Sequence, residues 1–344
     1  MAPQIAFDSR GCASDGGVES VIADEVLEDP KDAFAAEVLD LARQDPRVCL
    51  VINDCLSSTN AKFFLDEFPD RVFDVGIAEQ NMVGVAAGLA SGGMIPFVCA
   101  ASCFLSGRAL EQIKVDIAMS KANVKLCGFS SGFTYGSLGA THHAIEDIAW
   151  IRVLPNIRFA APCDAREARA VARAVHAQTG PAFVRLTRGG MRNITGRDEY
   201  QFGCAERLRD GTDVTLMGVG AMVHNLVQAA RLLADEGITC QVLNISSIAP
   251  LDTVAIIQAC RQTGRVVCAE EHQICGGLFS TVAEVVVSNA PVPMLALGVP
   301  GVFAPVGDSN DLLRHFELEP AQMALRVRHW LADVNHESKV VNCA

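Results

Sequence analysis

Positive charge and aromatic rings are both scarce in this 344-residue chain. Lys and Arg number 28 against 40 Asp and Glu, and Phe, Trp and Tyr together make 6% of the residues. A net charge of −12 leaves little attraction for nucleic acid or an anionic membrane. Any phosphate-bearing ligand must then be held by a few local cations. The thirteen cysteines include no C-x-x-C pair, and Cys99 and Cys103, four apart, fit neither a zinc knuckle nor a redox pair. They read as buried thiols of a reducing, cytoplasmic compartment. No P-loop or H-E-x-x-H motif occurs. Vicinal His142 and His143 cannot both face one ion from a regular element, so no metal site is expected on this chain. The first thirty residues are polar and acidic, without a basic n-region or an apolar h-region, and are expected to form an extension outside the fold.

Apolar content is abundant. Half of the residues are hydrophobic and the mean hydropathy is +0.26, enough for two domains with full cores. The uncharged run from Gln80 to Gly107 has the length of a membrane span. It also holds Gly84, Gly88, Gly92, Gly93 and Pro96, and "SGGMIP" punctuates it into a small-residue helix and a buried strand. Elsewhere, short apolar runs such as "RVCLVIND", "NVKLCGFSS", "DVTLMGVG" and "RVVCAEE" alternate with amphipathic stretches such as "DAREARAVARAVHAQ". That alternation predicts an α/β fold of two doubly wound domains with mostly parallel sheets covered on both faces. The polar stretch around 188–211 has no clean period and divides them. The expected boundaries are an extension over 1–30, a first domain over 31–190, a linker over 191–210 and a second domain over 211–344.

Glycine-rich candidates for anion cradles are weak. "GVGAMV" at 218–223 lies between a strand and a helix but lacks the full G-x-G-x-x-G pattern, and "GDSND" at 307–311 reads as a turn and helix cap. The sharper feature is Glu79 in "GIAEQNMVGVAAGLASGG", a lone acid at the threshold of a long uncharged run. A carboxylate in the first turn of a helix is favoured by the helix dipole, which is one reason for its place.

Four segments suggest a second reason. "FDVGIAEQNMVGVAAGLA", "SCFLSGRALEQI", "GSLGATHHAIEDIAWIRVLPNIRFAAPCDAREA" and "EEHQICGGLFSTVAEVV" resemble, in this order, the transketolase family of thiamine-diphosphate enzymes, and more narrowly the C-terminal subunit of a split transketolase. The resemblance runs from about residue 31 to the end. It implies a pyrimidine-binding domain followed by a transketolase C-terminal domain. The diphosphate-binding domain, with its G-D-G…N magnesium loop, is absent, which implies a partner subunit carrying the Mg2+ ligands, an α2β2 particle, and activity only with that partner.

The resemblance also assigns residues. Glu79 matches the glutamate that hydrogen-bonds N1′ of the cofactor's aminopyrimidine, and an apolar setting is expected to raise its pKa so that it shares a proton with the ring. Phe104 matches the aromatic residue that packs on the pyrimidine, while further family aromatics are replaced by Ala101 and Gly107. His142 matches a histidine facing the reacting carbon of the substrate. His143 is expected at the surface or at a helix cap, and His272 in a structural or subunit-contact role. For a sugar phosphate, Arg188 and Ser58 match two family contacts, with Ser130 and Lys31 near two others, and Asp54 matches an acid that meets a sugar hydroxyl. Leu138 stands where transketolases usually carry an aspartate for the donor's α-hydroxyl, and a leucine there disfavours the ordinary pentose-phosphate substrates. The implied reaction is transfer of a C2 ketol or related acyl unit from a donor to an aldehyde acceptor. Two alternatives share this layout: the β subunit of a 2-oxo acid dehydrogenase decarboxylase, and a non-catalytic assembly partner.

Overall fold

Residues 26–341 are described in a computed structural model of the chain. Residues 1–25 of the expected extension lie outside the described residues. Its last five do not: Glu28 bridges to Met191, and Asp29 accepts a hydrogen bond from the Lys31 amide at the head of helix Pro30–Gln44.

The apolar runs become strands. The first part contributes β1 (Val48–Ile52), β2 (Val72–Asp74), β3 (Ile95–Ala101), β4 (Lys125–Phe129), β5 (Arg158–Ala160) and β6 (Ala182–Arg185). The second contributes β7 (Glu206–Arg209), β8 (Val214–Gly218), β9 (Cys240–Asn244), β10 (Ser247–Ala249), β11 (Val266–Gln273) and β12 (Met294–Val299). Two sheets result, in the orders β10-β5-β6-β4-β3-β1-β2 and β12-β11-β8-β9-β7. Every pairing is parallel except β10 with β5 and β7 with β9, both at sheet edges. Strands β1, β4, β8 and β9 are buried along their whole length, as sheets covered on both faces require.

Two strands depart from the sequence reading. β7, "ERLR", lies within the stretch read as a linker, and β10 crosses from the second part of the chain to the edge of the first sheet, pairing Ser247 with Ala160. Both are short and have one neighbour only. An edge strand buries little, so no apolar run marks it.

One core is shared by both sheets. Met82, Val98, Leu126 and Phe183 from the first part pack in the same cluster as Met217, Ile256, Cys268 and Val282 from the second. Buried polar groups pin the same seam. Arg185, at the end of β6, donates from Nε to both Asp147 carboxylate oxygens at 3.0 Å, and from Nη2 to the carbonyls of Ala144 and Glu271 at 3.1 and 3.0 Å. Ser102 Oγ donates to Asp147 Oδ2 at 2.6 Å. His272 is buried beside them, and burial pushes its imidazole down to about 4, so it is neutral near pH 7.

Among the described residues, ten cysteines are free thiols. Seven of them are buried, Cys55 and Cys103 are half-buried, and Cys275 is exposed. Cys204 departs from the all-thiol expectation, being disulfide-bonded.

Candidate active site

Glu79 opens helix Glu79–Ser91 with its side chain fully buried. The helix has no side-chain cap at Ala78, so Glu79 lies where the dipole favours an anion. Both of its oxygens are taken. Asn53, just past the end of β1, donates Nδ2 to Oε1 at 2.7 Å, and Arg108 donates Nη1 to Oε2 at 2.6 Å. Burial pushes the carboxyl upward, but the Arg108 ion pair, its own amide and Asn53 outweigh that and hold it below the ordinary range. The expectation of a raised pKa is therefore corrected: in this state Glu79 is a paired carboxylate.

Arg108 reaches Glu79 from helix Ser102–Arg108, which begins directly after β3. Phe104 and Arg108 are four residues apart and share one face of that helix. The guanidinium carbon lies 4.7 Å from the Phe104 ring centroid, so a single side chain covers an aromatic face and neutralises the buried acid. His142 meets Phe104 from another side, ring centroids 5.1 Å apart and nearly perpendicular, and Thr141 Oγ1 sits 2.9 Å from its Nδ1. Tyr135 closes the group at 6.2 Å from the imidazole. Glu79, Phe104 and His142, distant in sequence, are thus one cluster.

The loop carrying His142 is built to hold it. Gly132 and Ala144 exchange backbone hydrogen bonds of 3.0 and 2.9 Å and close the loop at its neck. Gly132 has φ +64 and packs against the Glu271 carboxylate, where a Cβ would overlap. Glu271 Oε1 in turn accepts the Phe133 amide at 2.7 Å. Ser309 Oγ donates to the Phe133 carbonyl at 2.7 Å, so the second domain buttresses the loop. "GDSND" is the expected cap: Asp308 accepts from the Asn310 amide at the head of helix Ser309–His315. His143 corrects its expectation. It is buried, edge-on to Phe133 at 5.5 Å, with Nε2 3.2 Å from the Gly136 carbonyl.

The other assigned residues are more dispersed. Asp54 follows Asn53 and is exposed at φ +61. Ser58 donates to the Cys55 carbonyl at 3.3 Å, and Lys31 is buried against Asn60 and Asp32. Ser130 is buried at φ +58 with its hydroxyl unpartnered. Leu138 is 53% exposed on the loop between Gly136 and Gly139. Arg188 lines a separate cavity of about 800 Å³ that none of the other assigned residues lines among the described residues. Trp150 packs over Gly107, its ring 2.9 Å from where an added Cβ would stand.

The sequence reading missed Asn53, Arg108 and Tyr135. Arg108 carried a signal: it is the first charge after Glu79, at helical spacing from Phe104.

The transketolase pyrimidine-binding domain model matches residues 29–193, and the transketolase C-terminal domain model matches 203–323. The chain belongs to the transketolase family. It is 40% identical to an apulose-4-phosphate transketolase subunit of Phocaeicola vulgatus over 291 residues, 84% of this chain and 93% of that one. It is 36% identical to the 6-deoxy-6-sulfo-D-fructose transketolase subunit SqwH of Clostridium sp. over 300 residues, 87% of this chain and 93% of that one. Among solved structures, a split-gene transketolase described as an inactive β4 tetramer superposes with a TM-score of 0.81 at 35% identity, covering 90% of this chain and 99% of that chain. A Pichia stipitis transketolase shares the fold over about half of its chain, superposing with a TM-score of 0.74 at 19% identity over 46% of it. Among the described residues no helix is long and apolar enough to cross a membrane.

Proposed function

We propose that this chain is the β-type half of a split, thiamine-diphosphate-dependent transketolase that moves a two-carbon ketol unit from a ketose donor to an aldehyde acceptor. The Arg108 guanidinium carries the reading. It is a flat, N–H-bearing cation that lies on Phe104 and donates to Glu79. An aminopyrimidine protonated at N1′ offers the same flat face and the same donor, so the residues fit the cofactor's ring. When bound, thiamine diphosphate supplies the carbon nucleophile and the electron sink for two-carbon transfer. Glu79 holds the proton at N1′, Phe104 packs on the ring, and His142 exchanges a proton with the oxygen of the reacting carbonyl. Once Arg108 yields its place, burial dominates at Glu79 and raises its pKa toward proton sharing.

Among the described residues no group of three or more His, Cys, Asp or Glu side chains could hold a metal ion. We assign the Mg2+ and diphosphate ligands to a partner subunit, in an α2β2 assembly. The donor is a ketose whose far end bears an anion, the chemistry in the names of the two transketolase-subunit relatives, with Arg188 as its cation and Asp54, Ser58 and Ser130 toward its hydroxyls.

The test is calorimetric titration of thiamine diphosphate with Mg2+. Tight binding is expected only when the diphosphate-binding subunit is present, and Glu79→Ala in that complex should abolish or greatly weaken it. Tight, Mg2+-dependent binding by this chain alone would overturn the split-site reading.

A further inference from the structure

Both side chains that hold Glu79 leave the first sheet at one place. From β1 the chain crosses to β2, and from β3 it crosses to β4 on the opposite side. The carboxyl ends of β1 and β3 therefore flank the point where strand order reverses, where doubly wound sheets bind ligands. Asn53 is the first residue past β1, and the helix carrying Arg108 begins directly after β3. The two differ in permanence. Arg108 has a side chain 47% exposed and can swing into solvent, whereas Asn53 is buried.

Asn53 is also fixed by its surroundings. Its Oδ1 accepts from the Cys55 thiol at 2.7 Å, which turns the amide so that its NH2 group faces Glu79. Burial pushes that thiol up to about 11, so it keeps the proton it donates. The Cys55 carbonyl accepts from the Thr59 hydroxyl at 2.7 Å and the Ser58 hydroxyl at 3.3 Å, closing the turn after β1. Asp74 ends β2, and its Oδ1 accepts from the Asp54 amide at 2.9 Å and the Gly76 amide at 3.0 Å. One carboxylate oxygen thus ties the turn that carries Asn53 to the turn that leads into Glu79.

We propose that Asn53 is a positioning residue for the proposed ketol transfer: it stays on Glu79 Oε1 when Arg108 yields, so that Oε2 alone is left for the proton at N1′ of the aminopyrimidine. This role rests on the transketolase reading. Asn53 acts through Glu79, and its donated hydrogen bond favours the ionised carboxylate. Arg108 is the one ion-pair partner of Glu79 among the described residues, so it is the group to remove when the contribution of Asn53 is measured.

The experiment uses the full chain, alone and with the diphosphate-binding subunit. In the chain alone, carbon-13 NMR of the labelled Glu79 carboxyl follows its titration in an Arg108→Gln background. Asn53→Ala should raise the Glu79 pKa by about one to two pH units, the size of one hydrogen bond to a charged group. Asn53→Asp keeps the shape of the side chain and should raise it further, because two adjacent carboxyls share one proton. In the complex, with Arg108 intact, hydrogen–deuterium exchange at C2 of thiamine diphosphate should show its acid limb displaced upward in Asn53→Ala by about the same amount. A Glu79 titration unmoved in both variants, or an acid limb that stays in place while the titration moves, would overturn the role and leave the transferase reading standing. No exchange at C2 in the wild-type complex would overturn that reading and this role with it. The NMR result on the chain alone tells the two failures apart.

Discussion

Glu79 and Arg108 show how one long side chain sets the charge of a buried acid. The carboxylate is fully buried, whereas the Arg108 side chain is 47% exposed, so the guanidinium can leave at modest cost. A half-exposed pair of this kind is worth about 1 kcal/mol or less after solvent screening. Arg108→Gln should therefore raise the Glu79 pKa, read by carbon-13 NMR of the labelled carboxyl. In the presence of the partner it should tighten cofactor binding by up to about fivefold. The sign follows from linkage. A lowered folded-state pKa contributes stability above the ordinary carboxylate range and loses it as pH falls through the lowered value. Arg108→Gln should remove that acid limb from the pH–stability curve. If the Glu79 titration is unmoved, Arg108 is not its governing partner.

At the scale of the element, the loop from Ser130 to Glu146 carries both a catalytic candidate and a specificity candidate. Its neck is closed by the Gly132–Ala144 pair and its back is supported by Glu271 and Ser309, so His142 and Leu138 sit on one braced unit. Leu138 is exposed and offers no polar atom to a donor hydroxyl. A hydrogen bond from a charged group at that point is worth about 1.5–3 kcal/mol, or roughly ten- to a hundredfold in rate. With the partner present, Leu138→Asp should raise kcat/KM for xylulose 5-phosphate by that factor relative to a donor lacking the α-hydroxyl. A wild type that already uses xylulose 5-phosphate as well as the variant does would make Leu138 a neutral replacement.

The whole molecule is held at the seam between its sheets. Arg185 and Asp147 are almost completely buried, and each is satisfied by the other and by neighbours from both parts of the chain. Removing one partner strands the other. Asp147→Ala leaves the Arg185 guanidinium buried without its counter-ion and should cost about 3–5 kcal/mol. Urea denaturation followed by tryptophan fluorescence reads it, because Trp150 sits on the helix that carries Asp147. A loss below about 1 kcal/mol would mean that water or Glu271 takes over the charge.

Much of this molecule is dictated by local chemistry. Continuous apolar runs such as "VCLVI" and "VTLMG" can only be strands covered on both faces, and "SGGMIP" can only separate two elements, so the sheets and the small-residue helix are legible in one dimension. The motif around Glu79 marks its acid because a lone charge beside an uncharged run has no local explanation beyond the helix dipole. The charge state of that acid is decided elsewhere. Asn53 and Arg108, 26 and 29 residues away, arrive through strand order and helix facing, and a pKa sums contributions from every neighbour in space. Edge strands β7 and β10 escape notice for a related reason: pairing with one neighbour demands little apolar surface, and only the assembled sheet supplies the partner. The cavity between the domains is likewise invisible in sequence, since Arg192 and Arg231 become neighbours only when two separate elements close around the same space.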